Sequence, residues 1–351
     1  MKKHNFSSGP AILPQSVMQE AAEAVIDFNG MGLSILEISH RSKEFVAVMD
    51  EAQALTKELL GLSEDYSVLF LTGGASSQFY MTAMNLLDST ETAAIIDTGN
   101  WSAKTIKENR LFGHITVVAS SKADDYKHIP KTFELPDNAK YLHITTNNTV
   151  MGTQFQEIPT VDIPLVADMS SDIFSRKIEV EKYGLIYAGA QKNMGPAGTT
   201  MVIVRKDMLG TMERQIPTML DYRTHVNKGS MFNTPPVFPV YVSMLTLRWL
   251  KANGGIEAME KINIAKAELL YNEIDNNPNF EGRVAKADRS LMNVTFMATT
   301  PEAEAKFFKL CEEHLISGIK GYRTIGGFRA SIYNAMPMSS VEHLVSVMKM
   351  V

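Results

Sequence analysis

One lysine stands out by what surrounds it. Lys192 follows a short apolar run (residues 185–187) and the small residues Ala188, Gly189 and Ala190. Gly195-Pro196-Ala197-Gly198 and a second apolar run (residues 199–204) come after it. The two runs read as buried strands, and the Gly/Pro cluster as a tight turn between them. A lysine held there is poorly placed for hydration. Desolvation lowers an ammonium pKa and favours the neutral, nucleophilic amine. Such an amine can attack an aldehyde. The ordinary alternative is a turn lysine that reaches solvent.

The surrounding pattern decides what can position this lysine. Residues 5–14 are turn-rich and lack a helix or strand period, yet such a segment can be ordered if it crosses a cleft. Val17, Ala21, Ala24, Val25 and Phe28 give a helical apolar face after Pro14. A second helix is expected over 43–60, ended by Gly61. Strands are expected at 67–71, 93–97, 115–119, 141–145 and 164–167, with helices at 77–87 and 102–109. Residues 208–236 read as loop. Helices at 240–252, 256–275, 301–315 and 339–350, and strands at 284–285, 292–296 and 328–333, complete the chain. Alternating strands and helices predict an α/β fold with a mostly parallel sheet. The chain divides near Gly254-Gly255 into a large domain, 1–254, and a smaller α+β domain, 255–351.

Ligands in such sheets bind at the carboxyl ends of strands. Gly73, Trp101, Thr149, Asp168 and Lys192 all fall at or just after predicted strand ends. The turn Thr72–Ser77 before a helix can aim N–H groups at an anion. It lacks both the GxGxxG fingerprint and the GK[ST] of a P-loop.

Composition narrows the function classes. The chain has 351 residues, 45% apolar and 21% charged, as in ordinary globular proteins. A net charge of -5 gives no basic stripe for nucleic acid. The one cysteine, Cys311, can form neither an internal disulfide nor a thiolate metal site. No window approaches the ~20 apolar residues of a membrane span, and the N-terminus is not a secretory signal. No metal site is expected, and a cytoplasmic location is.

These residues match what a pyridoxal phosphate enzyme requires. Lys192 can hold an aldehyde as a Schiff base, and Asp168 can keep a pyridine nitrogen protonated. Trp101 can stack on the ring, and Ala75-Ser76 can hold a phosphate. Arg329 or Arg41 can take a substrate carboxylate. Taken singly, each has a plain alternative. Asp168 can cap a turn, Trp101 can be core, and Arg41 can be a solvated surface charge. The agreement of all five in chain order favours the chemistry.

The chain also resembles the phosphoserine aminotransferase family of fold-type I, class V pyridoxal phosphate enzymes. The resemblance runs nearly end to end, through NFSSGPAILP, EISHRSKEF, VADMSSDIFSR, YGLIYAGAQKNMGPAG, GSMFNTPP, KINIAKAELLY and FRASIYNAMP. It implies a large domain built on a mostly parallel seven-stranded sheet. It implies Lys192 as catalytic lysine, Asp168 on the pyridine nitrogen, Trp101 stacking and Thr149 at the ring hydroxyl. Ala75, Ser76 and Gln191 would bind the cofactor phosphate. Asn233 and Thr234 would do so from the other subunit of a homodimer. His40, Arg41 and Arg329 would grip the substrates, L-glutamate and 3-phosphohydroxypyruvate. A related phosphorylated 2-oxo acid on the route to pyridoxine is implied as a further substrate.

Two positions depart from that pattern. Ser76 stands where several members have arginine, and Tyr322 where many have histidine. Asn148 occupies a place often held by an acid. Two other readings remain: another class V activity, such as alanine–glyoxylate transamination or cysteine desulfuration, and a non-catalytic binding protein.

Overall fold

A computed structural model describes residues 3–323 and 325–351. In chain order the elements begin with β1 (His4–Asn5), α1 (Gln15–Ile26), α2 (Lys43–Leu60), β2 (Tyr66–Leu71), α3 (Gly74–Leu86), β3 (Thr92–Asp97) and α4 (Asn100–Asn109). They continue with β4 (His114–Ser120), β5 (Ala139–Thr145), β6 (Leu165–Asp168), β7 (Tyr183–Gly189) and β8 (Thr200–Arg205). Then come α5 (Tyr222–Asn227), α6 (Val237–Ala252), α7 (Gly255–Asn276), β9 (Phe280–Gly282), β10 (Asn293–Ala298), α8 (Pro301–Glu313), β11 (Ile316–Ser317), β12 (Phe328–Ser331) and α9 (Met338–Met348).

Seven strands form the main sheet in the order β2-β8-β7-β6-β5-β3-β4. β8 is antiparallel to both neighbours, and every other pairing is parallel. The expected mostly parallel seven-stranded α/β sheet is therefore present. β7 is buried at every residue, as expected for a central strand covered on both faces. Phe79 and Trp101, from α3 and α4, pack with Tyr187 and Val202 on one face. Phe45 and Val48 of α2 and Val240 and Leu247 of α6 pack with Ile186 and Ile203 on the other.

A second unit is the three-stranded antiparallel sheet β12-β10-β9. Its core joins Phe280, Phe296, Phe307 and Phe328 as near neighbours, with ring centroids between 4.8 and 6.3 Å apart. β1 pairs in parallel with β11, tying the N-terminal segment to this unit.

Local chemistry explains the best-defined boundaries. Ser42 caps α2 by accepting from the Phe45 N–H at 3.3 Å, and Gly61 ends it at φ 66. Thr300 accepts from the Ala303 N–H at 3.1 Å, with Pro301 opening α8.

Several expectations need correction. The strand expected at 284–285 lies instead at Phe280–Gly282, because the Val284 and Ala285 backbone leaves the sheet toward a short turn. β12 ends at Ser331, before Tyr333. The 208–236 loop contains α5, capped by Asp221 accepting from the Arg223 N–H at 2.9 Å. α3 begins at Gly74 and α4 at Asn100, earlier than expected. Gly73 makes the first shift possible: at φ 98 it turns the chain straight into the helix. Among the described residues no helix is long and apolar enough to cross a membrane.

The β7–β8 connection is pressed onto α6. A Cβ placed on Gly195 would lie 2.3 Å from Ser243 Oγ and 3.2 Å from Ser243 Cα. Gly195→Ala is therefore expected to lower stability by about 1–3 kcal/mol through overpacking. Urea unfolding monitored by circular dichroism checks this, and an unchanged midpoint contradicts it.

Candidate active site

The carboxyl ends of β5, β6 and β7 converge on Lys192. β6 ends at Asp168, which pairs in register with Thr145 of β5 and Tyr187 of β7. Lys192 follows β7 by three residues. The Ala190 N–H donates to Thr199 O at 3.1 Å and the Gly189 N–H to Ser170 Oγ at 3.1 Å, which fixes the chain around it. The Lys192 ammonium donates to Thr149 Oγ1 at 2.6 Å and lies 5.7 Å from the Trp101 ring centroid. The residue as a whole is half-buried, but its ammonium end is desolvated.

Burial pulls the Lys192 pKa down from 10.5 to about 8; Asp168 opposes that shift and Arg329 reinforces it. The amine is thus poised rather than mostly neutral at pH 7, a correction to the sequence expectation. Asp168 is buried and accepts from the Ser170 N–H at 2.9 Å. Burial raises its carboxyl pKa, while the Lys192 charge and Ser170 pull it down.

Trp101 lies in the first turn of α4. Ser102 Oγ sets that turn by accepting from the Thr98 and Gly99 N–H groups at 2.9 Å each and donating to Asp97 Oδ1 at 2.8 Å. The Trp101 ring leans on Phe79, with centroids 6.4 Å apart. Its Nε1 is buried and has no hydrogen-bond partner among the described residues.

Ala75 and Ser76 fall inside the first turn of α3, where helical N–H groups have no intrahelical acceptor. Ser76 is exposed. The Gln191 side chain folds back toward Gly189, and the Gln191 main-chain carbonyl accepts from the Ala11 N–H at 2.9 Å. The N-terminal segment therefore crosses the site, as its turn-rich sequence allowed.

Arg329 is the other end of the constellation. It is only 9% exposed and has no carboxylate partner among the described residues. Its Nη2 donates to Ser8 Oγ at 2.7 Å, while its Nε is buried without a partner among the described residues. Burial lowers its pKa, offset in part by Tyr333 and Tyr322.

Ser8 and Tyr333 were missed by the sequence reading. Tyr333 donates its hydroxyl to Ser8 O at 2.7 Å. The signal was an aperiodic polar stretch that nevertheless contained Phe6, a fully buried residue.

His40, Arg41, Asn233 and Thr234 make no hydrogen bond or ion pair with Lys192 among the described residues. His40 and Arg41 lie at the surface, with Arg41 Nε donating to His40 Nε2 at 3.4 Å. Asn233 and Thr234 are exposed, and Asn233 Nδ2 reaches only Thr234 O, at 3.3 Å. Asn233 also lines a cavity of about 240 Å³ with Gly73 and Ser77 at the start of α3. Among the described residues, no group of three or more His, Cys, Asp or Glu side chains gathers to hold a metal ion.

A half-buried lysine beside a buried aspartate, an indole and an unpaired arginine, at the strand ends of this sheet, defines a class. The class-V aminotransferase family model matches residues 3–344, and the chain belongs to that family. Phosphoserine aminotransferase of Flavobacterium johnsoniae is 58% identical over 350 residues, covering 99% of this chain and 98% of the relative. That of Bacteroides thetaiotaomicron is 54% identical over 351 residues, covering 99% and 98%. Among solved structures, phosphoserine aminotransferase from Bacillus circulans subsp. alkalophilus superposes with a TM-score of 0.96 at 45% identity, covering 99% of this chain and 98% of that one. The pyridoxal phosphate-bound enzyme from Trichomonas vaginalis gives 0.94 at 37% identity, covering 99% and 100%.

In the cofactor-free protein, Lys192 is expected to titrate near pH 8. Its folded pKa lies below its unfolded value. The penalty for burying the ammonium is therefore full below about pH 8 and relieved as pH rises toward 10.5. Asp168→Asn removes the charge that holds the proton on, so the midpoint moves lower. The pH dependence of Lys192 acetylation, read by mass spectrometry, tests both; a midpoint that stays put or rises in the variant contradicts the arrangement.

Proposed function

We propose that this chain is a pyridoxal 5'-phosphate-dependent phosphoserine aminotransferase. It transfers the amino group between L-glutamate and 3-phosphohydroxypyruvate, giving O-phospho-L-serine and 2-oxoglutarate. One observation carries the reading: Arg329, a buried guanidinium with no carboxylate partner, shares a low-dielectric space with the Lys192 amine. An α-carboxylate brought there would pair with Arg329 and set its α-carbon before Lys192. The full-length phosphoserine aminotransferase relatives support the substrate assignment.

The residues present suit the cofactor. Trp101 offers a flat ring and an orphaned N–H, and α3 offers unpaired N–H groups for a phosphate. When bound, pyridoxal phosphate supplies an aldehyde that carries the amino group and a ring that accepts the electron pair released at the substrate α-carbon. Lys192 would face the aldehyde and then move the proton at the substrate α-carbon. Asp168 would hold a proton on the pyridine nitrogen, and Thr149 would donate toward the ring hydroxyl. Ala75, Ser76 and Gln191 would hold the phosphate. His40 and Arg41 would take the substrate's distal phosphate or carboxylate. A phosphorylated hydroxy-oxo acid related to 3-phosphohydroxypyruvate fits the same grip. The active unit is a homodimer in the cytoplasm, in which Asn233 and Thr234 reach the partner's cofactor phosphate. The exposure of both residues supports this assembly.

Cysteine desulfuration is disfavoured. The only cysteine, Cys311, is buried, and burial pushes its thiol up to about 12. Alanine–glyoxylate aminotransferase from Nostoc shares the fold at a TM-score of 0.79 but only 15% identity.

The purified protein is expected to absorb in the visible, and glutamate to bleach that band. Lys192→Ala should remove turnover while leaving the circular dichroism spectrum intact. Activity with 3-phosphohydroxypyruvate should exceed that with pyruvate or glyoxylate by at least about 10²-fold, the discrimination available to a paired charged group. Equal activity with pyruvate would end the phosphoserine assignment.

A mixed dimer tests the assembly. One chain carries Lys192→Ala and the other Asn233→Ala with Thr234→Ala. If the phosphate contacts cross the interface, the second chain's site is complete, and roughly half of wild-type activity returns. No recovery would place those contacts within one chain.

A further inference from the structure

One buried cation has no part in the reaction as described. Lys266, midway along α7, has no exposed surface. Its ammonium donates to three main-chain carbonyls: Ile332 O at 2.9 Å, Tyr333 O at 2.7 Å and Met336 O at 3.2 Å. All three belong to the turn that joins β12 to α9. An ammonium has three N–H donors, and here each ends on that one turn. Among the described residues no carboxylate bears on it; burial pulls its pKa down to about 7. Burying such a charge without a counter-ion is costly, and an apolar side chain of equal length would avoid that cost only by taking these donors away from the carbonyls. The lysine therefore holds this one turn in shape by satisfying its main chain.

What the turn carries points to the reason. β12, just before it, bears Arg329. Tyr333 donates to Ser8 O at 2.7 Å, and Ser8 Oγ accepts from Arg329 at 2.7 Å. The Asn334 N–H donates to Asn193 Oδ1 at 2.9 Å, on the residue beside Lys192. Asn334 Nδ2 donates to Phe174 O at 2.9 Å, beyond the end of β6. One turn earlier on α7, Asn263 Nδ2 donates to Asn334 Oδ1 at 2.9 Å and to Ser175 O at 3.0 Å. The same helix face thus grips the turn twice, and the turn links the Arg329 segment to the Lys192 segment through Tyr333 and Asn334, alongside the N-terminal segment that bridges them through Ser8 and Ala11.

We propose that Lys266 is a positioning residue: by gathering the carbonyls of Ile332, Tyr333 and Met336, it sets the spacing between Arg329 and Lys192. The inference rests on the reading of Arg329 as the α-carboxylate grip. Its role is exerted through the turn and involves no contact with substrate.

Lys266→Met keeps the length and removes the donors. In the cofactor-free variant, amide hydrogen exchange over 328–336 is expected to rise about tenfold, a local opening independent of any reaction. In the loaded enzyme, KM for glutamate should rise about tenfold with kcat changed by less than about twofold, as when substrate binding is lost uniformly. Lys266→Arg, which retains donors, should recover much of both effects. A fall in melting temperature alone, or faster exchange with an unchanged KM, overturns the proposal. If Lys266→Met does not fold, Asn334→Ala cuts the next link while leaving the ammonium in place. It must then give the same rise in KM, and an unchanged KM there also overturns the proposal. A failure of the functional reading itself would show earlier, as absence of glutamate turnover in the unaltered protein.

Discussion

The balance of charge around the Lys192 ammonium governs this site. Burial and the Arg329 guanidinium push its proton off, and Asp168 and Asp172 hold it on. Neither side wins outright, and the amine's pKa is lowered only part of the way, from 10.5 to about 8. Two positive groups, Lys192 and Arg329, thus share a low-dielectric space with the carboxylates of Asp168 and Asp172. A carboxylate or phosphate entering there gains from both positive groups, and the gain is large because little water screens it.

Such a balance survives only if the backbone prevents the charges from relaxing apart. The sheet supplies this rigidity. Asp168 and Tyr187 are in register at the ends of neighbouring parallel strands, so the carboxylate cannot shift without breaking the ladder. β8 turns back antiparallel, which forces a short connection, and Lys192 lies on it. The N-terminal segment closes the remaining side. Ala11 bonds to Gln191, a Cβ on Gly9 would lie 3.3 Å from Lys192 Cγ, and Ser8 bonds to Arg329. A stretch without secondary structure of its own thus forms a wall of the site.

These differences in construction explain what could be read from the sequence. α2 was legible at both ends because its stop signals are local, a Ser cap and a left-handed Gly. The main sheet was legible because its strands are continuous apolar runs ending in polar or small residues. Lys192, Asp168, Thr149 and Trp101 could be grouped because parallel strands bring their carboxyl ends together. Ser8 and Tyr333 could not, since their contact joins residues 325 positions apart and leaves no periodic trace. β9 was misplaced for a related reason. It is a three-residue edge strand whose position follows from pairing with β10, and Val284 looks more strand-like than Glu281 or Gly282. His40, Arg41, Asn233 and Thr234 lie on surface loops, and periodicity, which marks buried faces, says nothing of what such residues face.

The neutral residue at position 148 fits the same electrostatic scheme. Asn148 uses both ends of its amide: Oδ1 accepts from Thr98 Oγ1 at 3.2 Å, and Nδ2 donates to Thr153 Oγ1 at 3.1 Å. It directly precedes Thr149, which accepts from Lys192. An acid at this position would need no donor role, but it would add negative charge next to the Lys192 partner. That charge would hold the lysine proton more tightly and raise the pKa that burial has lowered. With the amide, the Thr98–Thr153 bridge keeps the loop in place, and after burial the strongest influence on the lysine is Asp168. The geometry of the loop and the acidity of the amine are in this way set by different atoms, so one can be held fixed while the other is tuned.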